Sequence, residues 1–220
     1  MEIRAVAFDI DGTLYPYRRM YTHSLWFFLR RIRFLSHFSR MRRRIRTIRP
    51  IEDFRGTQAK LLSDIMAVTI ERAREKIDRI VYRLWERSFR RIRPFSHLKA
   101  LLQRLKNDGV PLGVLSDFPI GQKLSYLDLE GLWDCELSAE DSGYLKPNPE
   151  PFIKLAECLG ISLENILYVG NNYNYDIIGA HRVGMATAHF SRHPADESVA
   201  DLTFSDYRHL EEKLQKVVAS

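Results

Sequence analysis

Two carboxylates one residue apart, set at the end of an apolar run, are the first residues in this chain whose types and spacing could do chemistry. Ile3–Phe8 is apolar apart from Arg4, and Asp9-Ile10-Asp11-Gly12-Thr13-Leu14 follows directly. Side chains alternate along an extended backbone, so Asp9 and Asp11 point to one side while Ile10 points to the other. Gly12 permits the positive φ needed where the chain turns away. Like charges held this close repel, unless a cation sits between them or one of them is protonated. A hard cation with oxygen ligands, Mg²⁺, answers that need. The plain alternative is a solvated Asp-Gly turn, and a buried strand feeding straight into the pair argues against it.

Three later stretches carry further candidates. Val114-Leu115-Ser116-Asp117 ends a second apolar run with a hydroxyl, and Asp117 reads as a cap or turn residue. In Leu145-Lys146-Pro147-Asn148-Pro149-Glu150 the lysine precedes a proline, which biases it to extended backbone, and a helix follows at once. An isolated lysine is ordinarily a solvated surface residue; one held this rigidly is able to neutralise developing negative charge. Gly170-Asn171 closes a third apolar run, and Asp176 follows within Tyr173–Ala180. An amide oxygen such as that of Asn171 ligates Mg²⁺ without adding charge. Asp176 reads either as a ligand, directly or through water, or as the N-cap of the next helix.

Asp9, Asp11, Gly12, Thr13 and Leu14 together resemble the first motif of the haloacid dehalogenase superfamily, whose phosphatases read DxDGTL after a buried strand. The aspartate at Asp11 argues against haloacid dehalogenase itself, which has an aromatic residue there; Tyr15-Pro16 is weakly similar to nucleotidase-like members. Ser116 matches the second motif, and Lys146 with Pro147, Pro149 and Phe152 is similar to the third. The fourth departs from the pattern, because Asn171 stands where the family commonly has its first acidic residue, while Asp176 is present. The resemblance implies Asp9 as nucleophile and Asp11 as general acid/base. It implies Ser116, Lys146, Gly12 and Thr13 around the phosphoryl group, and Mg²⁺ held by Asp9, Asp11, Asn171 and Asp176. The implied activity is hydrolysis of a small phosphorylated substrate through an aspartyl-phosphate. A weakly active or inactive relative that binds anions, and a phosphomutase, remain alternatives.

The elements that must position these residues alternate. Runs at Ile3–Phe8, Val110–Ser116, Cys135–Ser138, Ile166–Val169, Ala186–Phe190 and Asp201–Phe204 read as strands. Helical periodicity lies at Ser96–Asn107, Ile120–Leu132, Pro149–Leu159, Asp176–Val183 and Tyr207–Val218, with Asn148 as N-cap and Gly160 as C-cap of the third. The pattern predicts an α/β fold, a Rossmann-like parallel sheet with helices on both faces and an all-helical insertion. Ligands of such sheets sit beyond the carboxyl ends of the strands. Residues 1–14 and 94–220 form the expected core and 15–93 the insertion, or cap. Within it, helical spacing runs from Tyr21 to Ile48 through Leu25, Phe28 and Ile32, and again from Thr57 to Ile92 with a break near Val68-Thr69-Ile70.

Charge separates the same two parts. Residues 15–93 hold 22 Lys/Arg against 7 Asp/Glu, and the rest of the chain 12 against 21. The cluster Arg40, Arg42, Arg43, Arg44, Arg46 and Arg49 reads as a solvated face, as a contact for an anionic substrate, or as a contact for an anionic surface or polyanion. Trp26, Phe27 and Phe28 upstream suit the membrane-surface version. No recognised nucleic-acid motif is present. No apolar run reaches the roughly 18 residues of a membrane span. Cys135 and Cys158 have no metal-site spacing and no disulfide framework, which suits a reducing cytosol. A cytoplasmic location is the expectation.

Overall fold

The computed structural model describes residues 2–18, 20, 25–192 and 197–215. Six parallel strands form one sheet: β1 (Ala5–Phe8), β2 (Leu112–Ser116), β3 (Cys135–Ser138), β4 (Ile166–Gly170), β5 (Ala186–Phe190) and β6 (Leu202–Phe204), in the order β3-β2-β1-β4-β5-β6. β1 lies centrally, with Phe8 opposite Val114 on one side and Val169 on the other. The carboxyl ends of β1, β2 and β4 are therefore neighbours.

Alternation along β1 assigns its two faces. Val6 and Phe8 pack with α4 (Leu98–Asn107) through Leu98, Leu101 and Leu102, and with α8 (Tyr207–Leu214) through Tyr207 and Leu210. Ala5 and Ala7 face the other way, toward Phe152 and Leu155 of α6 (Pro149–Leu159) and Ala180 of α7 (Ile178–Arg182). Small residues on that face of the sheet let α6 approach closely: a Cβ at Gly113 of β2, opposite Ala7, would stand 3.0 Å from Leu155.

Between β1 and β2 lie α1 (Leu25–Ile45), α2 (Phe54–Met66) and α3 (Ile70–Lys76), the last continuing through a π-helical stretch (Ile77–Trp85) to Glu86–Ser88. The break near 68–70 follows from its caps. Ala67 adopts a left-handed conformation that ends α2, and Thr69 accepts the N–H of Arg72 to start α3. Residues 21–24, the side chain of Leu25, and residues 216–218 at the end of the expected last helix lie outside the described residues.

Four sequence expectations change. The helix expected over Ile120–Leu132 is confined to α5 (Lys123–Tyr126), because Asp128 and Gly131 take positive φ and turn the chain. Asn148 does not cap α6 with its side chain; it donates to the carbonyls of Arg46 and Leu145 and accepts from Arg49. Asp176 does not cap the helix that follows it; Asn172 does, accepting the N–H of Tyr175. Cys135 and Cys158 are not separate thiols but a disulfide, with Cα atoms 5.9 Å apart. Their separation of 23 residues hides this, because α6 folds back over β3 and brings its last turn beside the strand. Among the described residues no helix is long and apolar enough to cross a membrane.

Candidate functional site

Asp9 directly follows β1, and its backbone N–H is held by the carbonyl of Val169 at 2.9 Å. Gly12, at φ +93°, starts the turn; a Cβ there would stand 2.2 Å from the ring of Tyr17 and 2.6 Å from the amide nitrogen of Asn171. That turn brings Thr13 back under the strand end. Its Oγ1 lies 2.9 Å from Asp9 Oδ2 and 3.2 Å from Asn171 Oδ1.

Lys146 is delivered by the chain leading into α6. Its Nζ, almost wholly buried, donates to Asp9 Oδ1 at 2.8 Å, Asp176 Oδ1 at 2.6 Å and the hydroxyl of Tyr168 at 3.0 Å. Asp176 reaches the strand end because Gly170 leaves room: a Cβ on Gly170 would stand 2.3 Å from that of Asp176. The other oxygen of Asp176 accepts the backbone N–H of Asn172 at 3.0 Å. Burial pushes the Asp9 carboxyl up, Lys146 pulls it down, Asp176 and Asp11 push it up again, and it settles at about 7. Burial alone would lower the Lys146 ammonium, but Asp176 and Asp9 hold it well above its ordinary value. The lysine is therefore a permanent cation shared by two carboxylates.

Asp11, half-buried, faces a second set of partners. Tyr15 donates to its Oδ1 at 2.7 Å; Ser116 Oγ at 3.2 Å and Lys123 Nζ at 3.4 Å meet Oδ2. Ser116 in turn accepts the backbone N–H of Phe118 at 3.1 Å. The structure thus brings Asp9, Asp11, Thr13, Ser116, Lys146, Asn171 and Asp176 to one end of the sheet. Tyr15, Lys123, Tyr168 and Asp117 join them without having been singled out as site residues. Tyr168 sits in an apolar strand run and reads as core, and Lys123 carries no motif. Asp117, read above as a cap or turn residue, accepts the backbone N–H of Lys146 at 3.2 Å and forms an ion pair with Arg46. Burial would raise its pKa, but Arg46, Lys146 and Arg42 outweigh it and hold the carboxyl below its ordinary value.

The four expected metal ligands are not equally placed. Among the described residues no group of three or more His, Cys, Asp or Glu is arranged to hold a metal. Both oxygens of Asp176 are engaged by Lys146 and Asn172, and both of Asp11 by Tyr15, Ser116 and Lys123. Asp9 Oδ2 and Asn171 Oδ1 meet the Thr13 hydroxyl but neither lysine, and these two oxygens are the ones that would hold a hard cation. One carboxylate with a neutral oxygen suits Mg²⁺, which keeps several waters and is commonly bound through one or two carboxylates.

The arginine cluster divides. Arg42 is buried, bonded to Glu140 at 2.5 Å and to Gln58 at 3.2 Å; Arg46 pairs with Asp117 and Arg49 with Glu150. These three bridge the helical segment to the loops after β2 and β3 and to the first turn of α6. Arg40, Arg43 and Arg44 are exposed.

Residues 3–184 match the family model for haloacid dehalogenase-like hydrolases, and the chain belongs to that family. The glyceraldehyde 3-phosphate phosphatase of Methanopyrus kandleri is 35% identical over 107 residues, 47% of this chain and 46% of that one. Phosphoglycolate phosphatase of Escherichia coli is 28% identical over 59% of this chain and 54% of its own, and pyrophosphatase PpaX of Bacillus mycoides 25% identical over 85% and 83%. The chain spans about half the length of the first curated relatives it matches. The same fold occurs in a 2-haloacid dehalogenase from Pseudomonas syringae (TM-score 0.69, 21% identity, 97% and 99% of the two chains) and a phosphatase from Thermococcus onnurineus (0.64, 21%, 97% and 98%).

Proposed function

We propose that this chain is a phosphomonoester hydrolase in which Asp9 is the nucleophile. The observation that carries the reading is the state of Asp9. Lys146 bonds one oxygen, Thr13 bonds the other, and the buried carboxylate stands at the carboxyl end of the central strand. Attack by an Asp9 oxygen on phosphorus forms the aspartyl-phosphate as the bond to the leaving alcohol breaks. Asp11 gives its proton to that alcohol, then takes one from the water that hydrolyses the intermediate. Lys146 is a fixed positive charge where negative charge gathers, and Ser116 and Thr13 supply hydroxyl donors. Tyr15 and Lys123 hold the Asp11 carboxyl in place. Mg²⁺, held by Asp9 and Asn171, would neutralise charge on the phosphoryl oxygens. The phosphatase names among the relatives support the reading. Residues 15–93 would act as a cap over the sheet's end, in an enzyme acting on a small phosphorylated substrate.

Hydrolysis of p-nitrophenyl phosphate with and without Mg²⁺, by wild type and by Asp9→Asn, tests it. The wild type is expected to turn over and the variant to fold normally but lose turnover. A variant rate near that of wild type overturns the assignment of Asp9.

A further inference from the structure

A groove of about 590 Å³ runs along α1 beside the site, within the range of small-molecule pockets. Three of its lining residues are bonded or adjacent in sequence to residues of the site. Phe118 gives its N–H to Ser116, Tyr175 precedes Asp176, and Arg46 donates to the carbonyl of Lys146 at 2.7 Å. Outward the wall is apolar, through Phe28, Leu35 and Trp85, to Leu29 and Ile32, which are 51% and 63% exposed. From the groove's position and lining we infer that it takes the alcohol portion of the phosphomonoester and that this portion is apolar and uncharged. The inference rests on the phosphatase reading for the reacting end alone.

Charge decides between an apolar and an anionic occupant. Three arginines line the groove, which by count favours a second anionic group. Two of them are already neutralised: Arg42 by Glu140 and Arg46 by Asp117. Their guanidinium groups also cover the rings of Phe118, at 4.5 Å from Arg42, and Tyr175, at 4.2 Å from Arg46. Arg43 is exposed at the mouth, donating to Ser39 at 3.0 Å. Away from Arg43 the lining therefore offers ring faces and methyl groups, and a second phosphate or carboxylate seated there would lose its water without gaining an unpaired cation.

Two series test this. The first is kcat/KM for n-alkyl phosphates from ethyl to hexyl, with 2-naphthyl phosphate to separate a flat ring from a flexible chain. The second is calorimetric affinity for the matching n-alkyl phosphonates, which are not hydrolysed. Both should rise about three- to fourfold per methylene until the groove is filled. Ser36→Glu and Ile32→Glu, at exposed positions in its wall, should flatten both slopes. Preference for 2-naphthyl over hexyl phosphate assigns the groove to aryl substrates, and the reverse to alkyl ones. Affinity and rate independent of chain length, or greater for a dicarboxylate-bearing phosphate, overturn the inference. Absent turnover with affinity that still rises with chain length overturns the phosphatase reading and leaves the groove assignment standing.

Discussion

Asp117 accepts the backbone N–H of Lys146 at 3.2 Å, so the residue after the second-strand serine orients the lysine from the third motif. The same carboxylate pairs with Arg46 of the segment that follows α1, and Arg42 donates to its carbonyl. One side chain thus joins the site's cation to the helices above it.

That joint should show in acid. The Asp117 carboxyl titrates below its ordinary value of 3.8 in the folded protein. As pH falls the unfolded chain binds this proton first, so the contribution is full above the unfolded pKa and is lost as pH falls through the folded one. Wild type should lose melting temperature between about pH 5 and pH 3 more steeply than Asp117→Asn. Parallel profiles would show that Asp117 contributes nothing to this dependence.

Lys146→Ala should lower kcat by roughly 10² to 10³, the loss typical of one electrostatic stabiliser. It should also destabilise the protein by about 3–5 kcal/mol, because Asp9 and Asp176 are left buried without their shared cation. Urea unfolding and saturating kinetics measure the two effects. An unchanged rate constant would remove Lys146 from the chemistry even if stability fell.

Asn171→Asp should add charge beside Asp9 Oδ2. A second carboxylate tightens Mg²⁺ and, without metal, adds repulsion. Half-saturating Mg²⁺ should fall, the metal-free melting temperature should drop, and added Mg²⁺ should restore it. Identical Mg²⁺ titrations of activity and melting would place position 171 away from the cation.

The disulfide closes a loop of 23 residues between β3 and α6. Reduction should cost roughly 3 kcal/mol, the value for a loop of that size. Denaturant midpoints with and without dithiothreitol measure it, and Cys158→Ser should behave as the reduced protein does. Equal midpoints would show that the link adds no stability.

What was legible in the sequence follows from local pattern. Apolar runs closing on Asp9, Ser116 and Asn171 read as strands, and the βα alternation sets those strands side by side. The break near Val68-Thr69-Ile70 was visible as a weak point in a long helical period, whereas the caps at Ala67 and Thr69 that make it were not. Long-range pairings were not visible. Tyr168 looks like any strand residue until Lys146 arrives from another segment, and Cys158 looks remote until α6 folds over β3. The arginine cluster reads as one charged run, and only the tertiary structure separates Arg42, Arg46 and Arg49, which meet carboxylates, from Arg40, Arg43 and Arg44, which meet solvent.

Arg42, Arg46 and Arg49 reach three partners on three segments: Glu140 after β3, Asp117 after β2 and Glu150 in the first turn of α6. Their spacing along the chain works as a ruler. A residue inserted or deleted between Arg42 and Arg49 would displace at least one guanidinium from its carboxylate, and a slip of the whole segment would displace all three. Length is thus constrained at this seam by electrostatic register, independently of whether the substituted residues are themselves tolerated. The turn after Arg104, where Gly109 takes a positive φ with nothing within 4 Å of its missing Cβ, carries no such register. Variation in chain length should accumulate there before it enters the seam.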